Sequence, residues 1–168
     1  MKGWWPMTGL QPSSVAIDSH DILAPVLHAA HKIWIRETNR FLLPIMVREA
    51  PFWERWTAVR YLADQFMGQY RRERALIGEV HPFLPPDTAE RLTQDGERVG
   101  RLQCELDRVG RRRGTAHTVS VLSRELLHLL RSWCADIEEA AGRIPRDLLP
   151  EEGNRLVADF ELYTRTHT

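Results

Sequence analysis

Residues 118–141 read TVSVLSRELLHLLRSWCADIEEAA. Within them Leu122, Leu126, Leu129, Leu130, Trp133 and Ile137 recur at steps of three and four, the repeat of one helix face. A half-buried strand would alternate every second residue, and this stretch does not. Working outward, the same spacing predicts a first helix from about Ile22 to Met46, with Leu23, Leu27, His31, Trp34, Thr38 and Phe41 on its inner face. Asp18-Ser19 or Asp21 is the expected cap, Pro25 fits the first turn, and Pro44 is expected to end or kink the helix. A second helix starts near Pro51 or Phe52 and carries Trp56, Val59, Leu62, Phe66, Leu76 and Val80, until Pro82 to Pro86 stops it. Asp87 or Thr88 is the expected cap of a third, with Leu92, Val99, Leu102, Leu106 and Val109. A shorter fifth helix begins at Pro150 and includes Leu156, Val157, Phe160 and Leu162. Four long helices joined by short turns predict an all-α fold. The expected form is an antiparallel up-down four-helix bundle over residues 21–168, with the short C-terminal helix added and an irregular N-terminal arm over residues 1–20.

Composition narrows the function. The chain has 168 residues, 43% hydrophobic and 27% charged, which is the make-up of one globular domain. Lys plus Arg equals Asp plus Glu at 23 each, so no basic excess favours nucleic acid. No apolar run is long enough for a membrane span, and Met1-Lys2-Gly3-Trp4-Trp5-Pro6 does not open a secretory signal. Cys104 and Cys134 make no disulfide framework, so a cytoplasmic location is expected. Six Trp is high for this length, and exposed Trp would support a homodimer.

Polar residues interrupt the apolar stripes at similar depth. His31 lies on the inner face of helix one, with His28 one turn earlier on a neighbouring face. Gln69 and Glu73 fall inside the stripe of helix two, Gln103 inside that of helix three, and Cys134 with Ile137 or Glu138 on helix four. A carboxylate in such a stripe is costly unless it is paired or ligating. The plainest arrangement is mutual hydrogen bonding of His31, Gln69 and Glu73, with Arg71 or Arg72 close by.

These residues resemble a known family. Leu27-His28-Ala29-Ala30-His31, Gln69-Tyr70-Arg71-Arg72-Glu73, Leu102-Gln103-Cys104-Glu105 and Cys134-Ala135-Asp136-Ile137-Glu138-Glu139 are similar to the four ligand-bearing segments of haemerythrin-like (HHE cation-binding) domains of the actinobacterial type. The resemblance covers about residues 22–160. It implies the bundle fold and, in the family, a di-iron site built from His and Glu. Here Glu73 is kept, Gln69 and Cys134 stand where the family has His, and helix three has no His.

Three expectations follow. In the first, no metal is held and the interior site binds a small organic molecule, with acid–base catalysis by His31 and Glu73 if the protein is an enzyme. Gln69, Tyr70, Gln103, Trp34, Phe66 and Cys134 would then contact the ligand. In the second, His28, His31, Glu73 and Glu138 retain a single iron, zinc or manganese ion, with Cys134 as an additional candidate. In the third, the protein is a non-catalytic interaction module that uses Trp4, Trp5 and the Arg111-Arg112-Arg113 turn.

Overall fold

The computed structural model describes residues 22–47 and 50–168. Five α-helices account for most of them: α1 (Ala24–Val47), α2 (Phe52–Val80), α3 (Pro86–Gly110), α4 (Ala116–Ala141) and α5 (Glu151–Thr166). Short 3-10 turns at His81–Phe83 and Arg146–Leu148 lead into α3 and α5. Among the described residues there is no strand beyond one isolated bridge between Ile22 and Pro145, and no helix is long and apolar enough to cross a membrane.

The inner faces of α3 and α4 are the ones their spacing marks. Leu122, Leu126, Leu130, Trp133 and Ile137 of α4 are buried, as are Leu92, Val99, Leu106 and Val109 of α3. Each such aliphatic side chain stabilises the fold by about 2 kcal/mol on leaving water. Specific contacts set how the helices meet. Ala24 N–H donates to Gly142 O and Leu23 N–H to Ile144 O, which ties the start of α1 to the end of α4. At the other ends, Ser120 Oγ lies 3.4 Å from Met46 O. Trp133 donates its indole N–H across to Leu92 O of α3 at 2.9 Å. Helix α5 packs on α1 and α2.

Glycines let three of these approaches close. A Cβ at Gly96 would lie 2.7 Å from Trp133 Cζ2, one at Gly100 2.6 Å from the Tyr70 hydroxyl, and one at Gly110 2.8 Å from Val59.

Several expectations need correcting. Pro44 does not itself end α1, which runs on for three residues to Val47. Pro44 is exposed and sits in the last turn, so the one i→i−4 bond that its missing N–H forfeits lies at the helix end. Helix α3 begins at Pro86 with Pro85 as its cap residue, so Asp87 lies in the first turn instead of capping it. There its charge still complements the helix dipole. On α2, Arg55 is buried and Trp56 is only half-buried. Arg55 donates to Ala50 O and Arg112 O and lies over the Phe52 ring, so two of its nitrogens are satisfied inside, while its Nε has no partner among the described residues. Leu162 of α5 is exposed. The expected caps Asp18-Ser19 and Asp21 and the N-terminal arm lie outside the described residues.

The glycine contacts give a paired prediction. Nothing lies within 4 Å of a Cβ at exposed Gly78, so Gly78→Ala is expected to raise stability by about 0.5–1 kcal/mol through helix propensity. Gly96→Ala gains the same propensity but drives a methyl into a rigid, buried indole, and is expected to lower stability by about 1–3 kcal/mol. Urea unfolding of the two variants checks both signs.

Candidate functional site

His31, Glu73, Gln69 and Glu138 form one connected chain across three helices. At its centre His31 of α1 is almost fully buried. Its Nδ1 donates to Glu138 Oε1 of α4 at 2.8 Å, and its Nε2 lies 3.1 Å from Glu73 Oε1 of α2. The second approach is an ion-pair contact without hydrogen-bond alignment. The same Glu73 Oε1 accepts from Gln69 Nε2 at 2.8 Å, and Gln69 Oε1 accepts from Arg72 at 2.9 Å. On the outer side, exposed His28 donates to Glu138 Oε2 at 3.1 Å. Gln69 and Glu73 stand one turn apart on α2, and Arg72 three residues beyond Gln69, so helical spacing alone aligns that half of the chain.

The cluster is strongly charged. Burial works against a protonated His31, but the charge of Glu73 and the hydrogen bonds and charge of Glu138 outweigh it, and its pKa is pushed up to about 9. The hydrogen bond from His31, with smaller help from His28, pulls the Glu138 carboxyl below its ordinary value despite partial burial. Burial and the two nearby carboxylates push the Cys134 thiol well above its ordinary value, so it stays protonated and a poor nucleophile at neutral pH.

Two openings flank the cluster. A groove of about 390 Å³ between α1 and α4 is lined by His28, His31, Lys32, Arg131, Cys134 and Glu138, among others. On the opposite side, α1, α2 and α5 enclose a cleft of about 290 Å³. Trp34, Thr38, Phe41, Phe66, Arg72 and Tyr163 line it, with Glu37, Leu62, Asp64, Gln65, Gly68 and His167 around them. Trp34 and Thr38 are buried, yet Trp34 Nε1 and Thr38 Oγ1 have no hydrogen-bond partner among the described residues. Burial also pushes the Tyr163 phenol up to about 12, with Glu37 adding to the shift.

The sequence-derived candidates divide accordingly. His31, Glu73 and Gln69 are brought together with Glu138, and Cys134 lies beside them. Trp34 and Phe66 meet at a tilt of 51°, with ring centroids 4.9 Å apart, at the cleft. Tyr70 turns away, towards α3: it packs over Gly100 and lines a separate groove with Cys104. Gln103 is buried with both amide atoms unpartnered among the described residues, and it lines neither the cleft nor the α1–α4 groove. His28, His31, Glu73 and Glu138 are gathered by bonding one another. Among the described residues no group of three or more His, Cys, Asp or Glu side chains is placed to hold a metal ion. Both His31 ring nitrogens already face carboxylates, so the residues do not fit the iron pair that the family resemblance implies.

Sequence reasoning missed Tyr163, His167 and Phe41 as lining groups. Their helices could be read, but nothing in the spacing says which face of α5 meets α1 and α2. Compared with known proteins, the chain matches no family model, no curated protein and no solved structure.

A pH dependence follows from His31. Its pKa is higher in the folded state than the ordinary 6.5, so its contribution to stability is full below about 6.5 and fades as pH rises through about 9. Glu138 has the opposite sign, since its lowered pKa adds stability that is lost on acidification below the ordinary carboxyl range. Unfolding free energy measured across pH 5–10 is expected to fall on the alkaline side. Glu73→Gln is expected to flatten that fall and to move the His31 ring titration, followed by NMR, towards neutrality. It should also cost about 3 kcal/mol at pH 7, because it breaks a buried pair.

Proposed function

We propose that the protein is a small-molecule-binding helical bundle whose ligand sits in the cleft between α1, α2 and α5. In this reading α1 to α4 run up and down, antiparallel to their neighbours, with α5 closing one side. The bonds joining the start of α1 to the end of α4, and the contact of Ser120 with Met46, support that arrangement. The resemblance to haemerythrin-like domains enters as the source of the helical frame, with the metal chemistry set aside.

One observation carries the binding reading. Trp34 and Thr38 both line one cleft, and their polar atoms, the indole N–H and the hydroxyl, are buried with no partner among the described residues. A buried donor left unmade costs about 1–3 kcal/mol, so a fold that keeps two of them beside one opening is suited to a ligand that accepts from both. Phe41, Leu62 and Phe66 add the apolar wall that such sites have. The cleft is at the small end of ligand pockets, which favours a compact molecule.

His31 and Glu73 serve this site from behind. They do not line the cleft, and His31 is protonated at neutral pH, which unsuits it to act there as a base. Their part is to hold Gln69, which in turn holds Arg72 at the cleft wall.

The test uses two variants that remove a donor, of which Thr38→Val also keeps the shape. Thr38→Val is expected to raise the stability of the ligand-free protein by about 1 kcal/mol, seen as a Tm increase of about 2–4 °C. In a melting screen of small organic compounds, hits for the wild type are expected to weaken about tenfold in Thr38→Val and in Trp34→Phe. A screen whose hits bind both variants as well as the wild type would remove the cleft from consideration, as would a screen with no hit.

A further inference from the structure

The groups around the cleft say more than that a ligand binds. Arg72 is half-buried, and its guanidinium lies over the Tyr163 ring at 5.4 Å. One of its terminal nitrogens donates to the neutral Gln69 amide. It forms no ion pair among the described residues, so its charge is not met by the protein. This contrasts with the lining carboxylate Glu37, which is taken up by Arg36 at 3.2 Å and Arg40 at 3.6 Å. The other lining carboxylate, Asp64, is exposed to water at the rim. Among the groups lining the cleft, those still lacking a counterpart inside it are the Trp34 N–H, the Thr38 hydroxyl, which can donate or accept, and the remaining N–H groups of Arg72; the unpartnered Glu73 Oε2 belongs to a residue that does not line the cleft.

A ligand that satisfies three donors, one of them cationic, brings acceptor oxygens and a negative charge. The planar, forked guanidinium suits a carboxylate, which accepts two parallel N–H bonds. The rest of the wall is aromatic and aliphatic, from Phe41, Leu62, Phe66 and Tyr163. From these groups, and resting on the cleft being the binding site, we infer that the ligand is a small aromatic carboxylate. Its acid group pairs with Arg72, and its ring lies against Phe66 and Phe41.

Arg72 is also held ready for this. The ring of Tyr163 fixes its plane, and Gln69 fixes one edge. Gln69 is locked in turn by Glu73, and Glu73 faces His31. A guanidinium positioned before the ligand arrives loses less side-chain freedom on binding. Its half-buried setting makes the ion pair stronger than one in open water.

Three compounds of one shape and different charge test the inference: 2-naphthoate, 2-naphthamide and 2-(aminomethyl)naphthalene. Binding to the full chain is measured by calorimetry, and the Trp34 indole N–H, assigned with Trp34→Phe, is followed by NMR. Naphthoate is expected to bind at least tenfold more tightly than the amide, to exclude the amine, and to shift the Trp34 indole signal. Arg72→Gln is expected to bring naphthoate down to the level of the amide without changing the amide, and Arg72→Lys to recover part of the loss. If the amide or the amine binds as well as naphthoate, or if Arg72→Gln leaves naphthoate binding unchanged, the carboxylate class is wrong while the cleft remains a site. If none of the three shifts the Trp34 signal at millimolar concentration, the cleft itself is not the site and both readings fall.

Discussion

A protonated imidazole between two carboxylates organises the interior of this protein. His31 comes from α1, Glu73 from α2 and Glu138 from α4, and their contacts of 2.8 and 3.1 Å join three helices at one point. Such a cluster is expensive to bury, because each charge gives up its hydration. It persists because each partner answers another: Glu73 also accepts from Gln69, and Glu138 also accepts from His28. The cluster sets the relative register of these helices more sharply than apolar contacts do, since apolar packing tolerates small slides and a 2.8 Å bond does not.

From that point the bonding runs outward in two directions. Towards α4 it ends at His28 in a groove open to solvent. Towards α5 it passes through Gln69 to Arg72 and reaches the cleft where Trp34 and Thr38 stand unpartnered. The cation at the cleft wall and the charge in the core are thus joined by one ion-pair contact and two hydrogen bonds. A change in the protonation of His31 would be felt at Arg72 through two intervening side chains, which links the electrostatics of the core to those of the cleft.

The aromatic residues complete the picture. Trp34 packs on Phe66 at 4.9 Å and on Trp133 at 6.2 Å, and Trp133 is anchored through its N–H to Leu92 O. The Trp133 N–H finds a backbone acceptor across the helix interface, whereas that of Trp34 does not. Two buried indoles of the same type therefore have different roles. One closes a helix–helix contact, and the other belongs to a cleft-lining residue and keeps its donor unpartnered among the described residues.

The helical fold was legible in the sequence because apolar residues repeat every three or four positions, and burial of one face is a property of the single helix. For the same reason His31, Gln69, Glu73, Gln103 and Cys134 could be placed on inner faces, and all are buried. The pairing of His31, Gln69 and Glu73 was also within reach, since Gln69 and Glu73 share a turn and His31 was the inward imidazole of its helix. What spacing cannot give is azimuth between helices. Tyr70 and Gln69 are adjacent on α2, yet one packs against α3 and the other joins the core chain. Placing α5 against α1 and α2 makes the cleft, and with it the roles of Arg72, Tyr163 and His167, because a cavity is the gap between surfaces that no one segment encodes. The sequence by itself determined the helices and their buried faces. Only the tertiary structure decided which buried polar groups answer one another and which are left without a partner, because partnership depends on distances between segments far apart in the chain.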